Sequence, residues 1–84
     1  MPRELEDIVQ ELGRRLRAAR LKRNWTLADV AQRIGVTPVT LGRLEKGDPS
    51  VGVGILVTAV WVLGLVKEFN DFLSAEHDEL GRGL

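Results

Sequence analysis

The residue types that make and break bonds are scarce in this chain, so whatever chemistry it does must rest on charge and hydrogen bonding. It has no cysteine and one histidine, which removes disulfides and thiolate metal sites. The histidine stands in the run Glu76-His77-Asp78-Glu79, whose donor atoms suit a metal but which has no second histidine and no partner spacing, so a solvated tail is the favoured reading. No nucleophile stands beside a base, and 84 residues build one core without a roomy enclosed cleft. The expectation is a binding protein without a cofactor, not an enzyme. Cations, by contrast, are concentrated. From Leu12 to Ser50 nine basic residues face only Asp29, Glu45 and Asp48, a net of about +6, while the two flanks carry three basic residues against nine acidic ones. A formal net charge of zero therefore conceals an uneven distribution. Exposed helices are charged in any case, but a basic central stretch of this kind also suits a phosphate polyanion.

A cation recognises an anion specifically only when a rigid element presents it, and the stretch Thr26 to Gly47 supplies two. Thr26 precedes Leu27 with Asp29 three positions on, so a hydroxyl can accept an orphan N–H while a carboxylate sits at the positive end of the helix. Leu27, Val30, Ala31 and Ile34 recur at helical spacing and end at Gly35, a residue suited to left-handed backbone. Thr37 caps a second helix, Pro38 occupies its first position where a missing N–H is harmless, and Leu41 and Leu44 continue the buried side to Gly47. The connection is too short for a loop, so the helices must cross steeply as a helix-turn-helix, with small Ala31 and Gly35 expected to allow the approach.

The remaining elements must support this pair. Arg3 to Arg23 reads as one amphipathic helix with Leu5, Ile8, Val9, Leu12, Leu16 and Ala19 inward; its outer face runs from acidic to basic, an order that also suits the macrodipole. Asn24 is a candidate left-handed stop, and Trp25 is expected to pack into the core. After the turn Asp48-Pro49-Ser50, Val51 to Val66 is uncharged. It is too short for the roughly 20 residues of a membrane span, and a buried helix from about Gly54 to Leu63 is expected, with Ile55, Leu56, Ala59, Val60 and Leu63 on the core. A helix apolar all round needs a second cover, which on so small a domain points to another subunit, with Val57 and Trp61 on that face. Lys67 to Ala75 reads as a fifth helix with Phe69, Phe72 and Leu73 apolar, and 76–84 as a loose polar tail. The N-terminal PRELEDIVQEL is no basic-then-apolar leader, so the cytoplasm, with the nucleoid, is the expected location.

Leu12 to about Leu65 resembles the helix-turn-helix of the Cro/CI-type (XRE) regulators of bacteria and phages. The resemblance is carried by the Arg-rich first helix, Thr26, Ala31, Gly35-Val36-Thr37, Leu41, Leu44-Glu45-Lys46-Gly47 and Leu63-Gly64-Leu65. It implies an all-α, five-helix, lambda-repressor-like domain over residues 1–75, whose second motif helix lies in the major groove of double-stranded DNA. Carried over residue by residue, it puts Thr37, Pro38, Val39, Thr40, Gly42 and Arg43 on the DNA side, with Thr26 and Lys46 as further phosphate donors. Arg43 is the candidate for specificity, since a guanidinium matches O6 and N7 of guanine; Pro38 and Val39 can offer only apolar contact, best to a thymine methyl. The alternative for Arg43 is a solvated charge or a phosphate contact. The resemblance also implies an ion pair between Arg20 and Glu45. One departure is Leu27, where many relatives carry glutamine.

Within that family, Glu45 to Leu65 looks most like the HipB-type antitoxins encoded beside HipA-like kinases, which implies an autoregulating homodimeric repressor with a toxin partner. A phage-type or stand-alone regulator is the other reading. The expected dimer seam comprises Val57, Trp61, Phe69 and Phe72, and the expected operator is an inverted repeat.

Overall fold

Two threonine caps and one left-handed glycine set the two central helices. The computed structural model describes residues 2–72 and 74; among them are five α-helices and no strand: α1 (Arg3–Lys22), α2 (Leu27–Ile34), α3 (Pro38–Glu45), α4 (Val53–Val62) and α5 (Val66–Phe72). Thr26 Oγ1 accepts from the Asp29 N–H at 3.0 Å while the Asp29 carboxylate accepts from the Thr26 N–H at 2.9 Å, a reciprocal capping box. The Thr26 N–H foremost, and then the Thr26 side chain, hold the Asp29 carboxyl below its ordinary value. At the other end of α2, Gly35 adopts φ +89° and its N–H closes on the Ala31 carbonyl at 2.9 Å. Asn24, at φ 56°, is the left-handed stop expected after α1.

The core is built by four helices. Leu16 of α1, Val30 and Ala31 of α2, Leu41 and Leu44 of α3, and Ala59 and Val60 of α4, together with Leu63 just beyond it, are buried, and Trp25, Leu27, Ile34, Val36 and Phe69 pack around them. α3 packs on both α1 and α2, α4 on α2, and α5 on α4. Leu27, the departure from the glutamine of many relatives, is half-buried against the core, so its burial supports α2 from within.

Three expectations are corrected. Gly35 does not serve close approach: a Cβ there would meet nothing within 4 Å, and its use is the positive φ alone. The close-approach glycines are Gly13 in α1, where a Cβ would fall 2.7 Å from the Leu44 carbonyl oxygen and nearer still to that of Glu45, and Gly47, where it would fall 2.6 Å from Gln10 Cα. Leu5 and Ile8 are not inward either. They are 48% and 54% exposed, because α1 is twenty residues long and the core meets it only from about Leu12 onward. α4 begins at Val53 and α5 at Val66, one residue earlier than expected in each case; the expected end of α5 at Ala75, the domain boundary there, and the tail with its Glu76-His77-Asp78-Glu79 run lie outside the described residues.

Candidate nucleic-acid interface

α3 is seated by its apolar side and free on the other. Leu41 and Leu44 are buried, whereas Pro38, Val39 and Arg43 are exposed, Val39 to 74%. An aliphatic side chain left so far in water on a well-packed element is available for apolar contact, and a thymine methyl is the partner a groove would supply. Thr40 and Gly42 lie half-buried on the flanks of this face, and Lys46, just past the end of α3, is exposed. Thr37 Oγ1 accepts from the Thr40 N–H at 3.2 Å and donates to Thr40 Oγ1 at 3.0 Å. The Thr37 hydroxyl is thereby consumed in capping, and the Thr40 hydroxyl keeps its own proton for an outside acceptor. Thr26, exposed at the start of α2, is likewise committed to its cap.

The far end of α3 is fixed by charge. Arg20 Nε donates to Glu45 Oε2 at 2.8 Å and Nη2 to Oε1 at 3.0 Å, a bidentate pair with side chains 8% and 5% exposed. Arg20 Nη1 also donates to the Trp25 carbonyl at 2.9 Å, so one guanidinium joins α1, the chain entering α2 and the end of α3. The hydrogen bonds to Glu45 push the Arg20 pKa further up. Trp25 is half-buried and its ring is covered by the Arg33 guanidinium at 4.2 Å, a cation–π contact that leaves Trp25 as a packing residue.

The exposed arginine of α3 is itself held. Arg43 Nε donates to Asp48 Oδ2 at 2.8 Å and Nη2 to Ser50 Oγ at 2.6 Å. Asp48 Oδ1 accepts from both the N–H and the hydroxyl of Ser50, at 2.8 and 2.6 Å. Sequence reasoning saw only a turn at Asp48-Pro49-Ser50. An Asp followed two residues on by Ser is a signal for side-chain-to-backbone bonding, but the link back to Arg43 across the helix end has no periodic signature.

The other cations do not all gather here. Arg14 and Arg15 both donate to the Glu11 carboxylate, at 2.7 and 3.1 Å, and those bonds lower the Glu11 pKa. Arg15 borders a groove of about 610 Å³ whose walls are Ile8, Leu12, Leu16 and Ala19 of α1 with Val60, Leu65 and Phe69. Asp7, Glu11 and Glu68 share its rim, and no residue of α2 or α3 contributes. Part of the basic stretch read from the sequence therefore faces α4 and α5. Of the residues expected at a dimer seam, Val57 and Trp61 are exposed on α4 at 51% and 69%, in line with Val53 at 72%. Phe69 is half-buried on the core at the groove, and the side chain of Phe72 lies outside the described residues.

A family model described as a helix-turn-helix domain matches residues 11–68. No curated protein and no solved structure matches the chain. The matched span runs from the middle of α1 into α5 and contains the capped α2–α3 pair whole. With the second helix of that pair buried on Leu41 and Leu44 and uncovered at Val39 and Arg43, the chain belongs to the helix-turn-helix domain family, a family of DNA-binding domains.

Proposed function

We propose that the protein is a sequence-specific, double-stranded-DNA-binding transcriptional repressor of the Cro/CI (XRE) type, acting as a homodimer on an inverted-repeat operator. The observation that carries this reading is the uncovered face of α3: an anchored helix presents Pro38, Val39, Thr40 and Arg43 together, an apolar patch beside a forked donor, which is what base edges in the major groove require. Thr26, Thr37, Gly42 and Lys46 frame that face, where backbone N–H groups at the helix starts and the Lys46 ammonium contact phosphates. The role is one of binding and not of catalysis, and it is exercised on the nucleoid in the cytoplasm. Selection of binding sites from random duplex DNA is the test. Recovery of an inverted repeat with half-site centres about 34–36 Å apart is expected. Arg43→Ala should weaken specific binding by about 1–3 kcal/mol and erase preference at one base pair per half-site. Selection that returns no consensus sinks the reading.

Within that reading, the protein is the autoregulating antitoxin of a HipBA-like operon. The resemblance of Glu45–Leu65 to HipB-type antitoxins supports it, as do two apolar surfaces away from α3: the Val53, Val57, Trp61 stripe for a second copy and the acid-rimmed groove between α1 and α5 for a partner protein. A HipA-like kinase encoded next door is the proposed partner. Co-expression with the adjacent gene product and size-exclusion chromatography should give a complex that still binds the operator. Absence of co-elution, with no toxicity from the neighbour alone, would leave a stand-alone regulator.

A further inference from the structure

We propose that Asp48 and Ser50 are positioning residues for base recognition, holding the Arg43 guanidinium so that it meets a guanine by its end edge. The inference rests on the reading of Arg43 as a base contact and goes beyond it by assigning the residues that set its orientation. A guanidinium has five N–H bonds on two usable edges. The side edge carries Nε and the nearer N–H of Nη2; the end edge carries Nη1 and the outer N–H of Nη2. Asp48 takes Nε at 2.8 Å and Ser50 takes Nη2 at 2.6 Å, so the side edge is occupied. The donors that remain are those of the end edge, a parallel pair that fits O6 and N7 of guanine.

Three features make this arrangement suited to recognition. The clamp is closed on itself, because Asp48 Oδ1 is bonded to the N–H and the hydroxyl of Ser50 while Oδ2 holds Arg43. Ser50 is thereby a relay: its hydroxyl proton goes to Asp48, and its lone pair is left for Arg43. The carboxylate is also permanently available. Bonding by Ser50, and then by Arg43, depresses the Asp48 pKa to about 2, far below any pH at which the protein meets DNA. Finally, Asp48 is an anion next to the reading face, where bare electrostatics would disfavour it beside phosphates. Its presence is accounted for if it orders Arg43, a long side chain that would otherwise lose its rotamer freedom on binding.

The test compares Arg43→Ala, Asp48→Asn and Ser50→Ala by competition binding against operator variants at each base pair, with thermal melts to confirm folding. Arg43→Ala should flatten discrimination at one pair per half-site. Asp48→Asn and Ser50→Ala should reduce discrimination at that same pair about three- to tenfold, leaving the other positions unchanged. Equal weakening at every position would mean that the two residues serve only the turn, and overturns the proposal. So does tighter operator binding by Asp48→Asn with discrimination intact, which would make the ion pair a competitor of DNA. If Arg43→Ala itself leaves every preference unchanged, the base-reading assignment falls and takes this inference with it; if only the other two variants are silent, the inference alone fails. Ser50→Ala keeps the backbone bond to Asp48, so it carries the test should Asp48→Asn not fold.

Discussion

Arg20 shows how one side chain can tie the motif to its support. Its guanidinium is buried, spends donors on both Glu45 oxygens and on the Trp25 carbonyl, and leaves little for solvent. Breaking such a pair leaves a charge in the interior with no partner, so Glu45→Ala is expected to destabilise the fold by about 3–5 kcal/mol, read from urea unfolding. Replacing both members, Arg20→Met with Glu45→Leu, should cost much less, because no orphan charge remains. Equal losses would show that the pair acts through shape and not through charge. A second prediction concerns acid. The Asp48 carboxyl is depressed to about 2 from an ordinary 3.8, and Asp29 is lowered as well. A depressed carboxyl contributes stability above its unfolded pKa and loses it as the pH falls through the folded one. The Arg43 clamp should therefore be insensitive to pH from 8 to about 5 and open only in strong acid, and the α2 cap should outlast the ordinary carboxyl range. Carboxyl chemical shifts followed by NMR would show this, and an Asp48 midpoint near 4 would contradict it.

Among the elements, the contact of α1 with α3 decides where the proposed reading face points. α1 contributes no residue to the proposed reading face, yet it crosses the last turn of α3 so closely that only glycine fits at position 13. Gly13→Ala must push α3 outward or strain α1, at about 1–3 kcal/mol, although alanine is the better helix former. A melting temperature lowered by several degrees, with operator affinity falling by more than the unfolded fraction explains, is the expected result. A rise in melting temperature would mean that helix propensity outweighs the overlap. The caps act in the same direction: α2 and α3 have eight residues each, too few to persist alone, so Thr26, Gly35 and Thr37 define ends that packing then holds.

On the molecule as a whole, the outside of α4 presents an apolar stripe to solvent. Val53, Val57 and Trp61 succeed one another every fourth residue on the outside of α4 and are all exposed. In the proposed dimer they meet their copies across a two-fold axis, which places the two α3 helices for successive turns of DNA. Trp61→Glu should then give a folded monomer by light scattering, with operator affinity reduced in parallel. A variant that remains dimeric would move the seam to the groove between α1 and α5, where Phe69 lies. No helix among the described residues is long and apolar enough to cross a membrane.

Local rules were enough to read the helices, because what starts and stops them is local. Thr26 with Asp29, Thr37 with Pro38, Asn24 and Gly35 each act within a few residues, and the apolar spacing assigned Leu41, Leu44, Ala59, Val60 and Leu63 to the interior. The face of α3 followed by complement. The folded arrangement decided the rest. Glycine at position 13 has no meaning until Glu45 lies across it, and Leu5 and Ile8 obey helical spacing even though the core ends before it reaches them. Arg14 and Arg15 count as free charge in a sequence tally but are shared with Glu11, and Arg43 counts as a free donor but is held by a turn beyond the end of its own helix. Periodicity reports which side of an element is apolar. Which cation is spoken for, and by which edge, is decided only in the folded chain: by side chains of its own helix for Arg14 and Arg15, by the turn beyond the helix end for Arg43, and by a helix distant in sequence for Arg20.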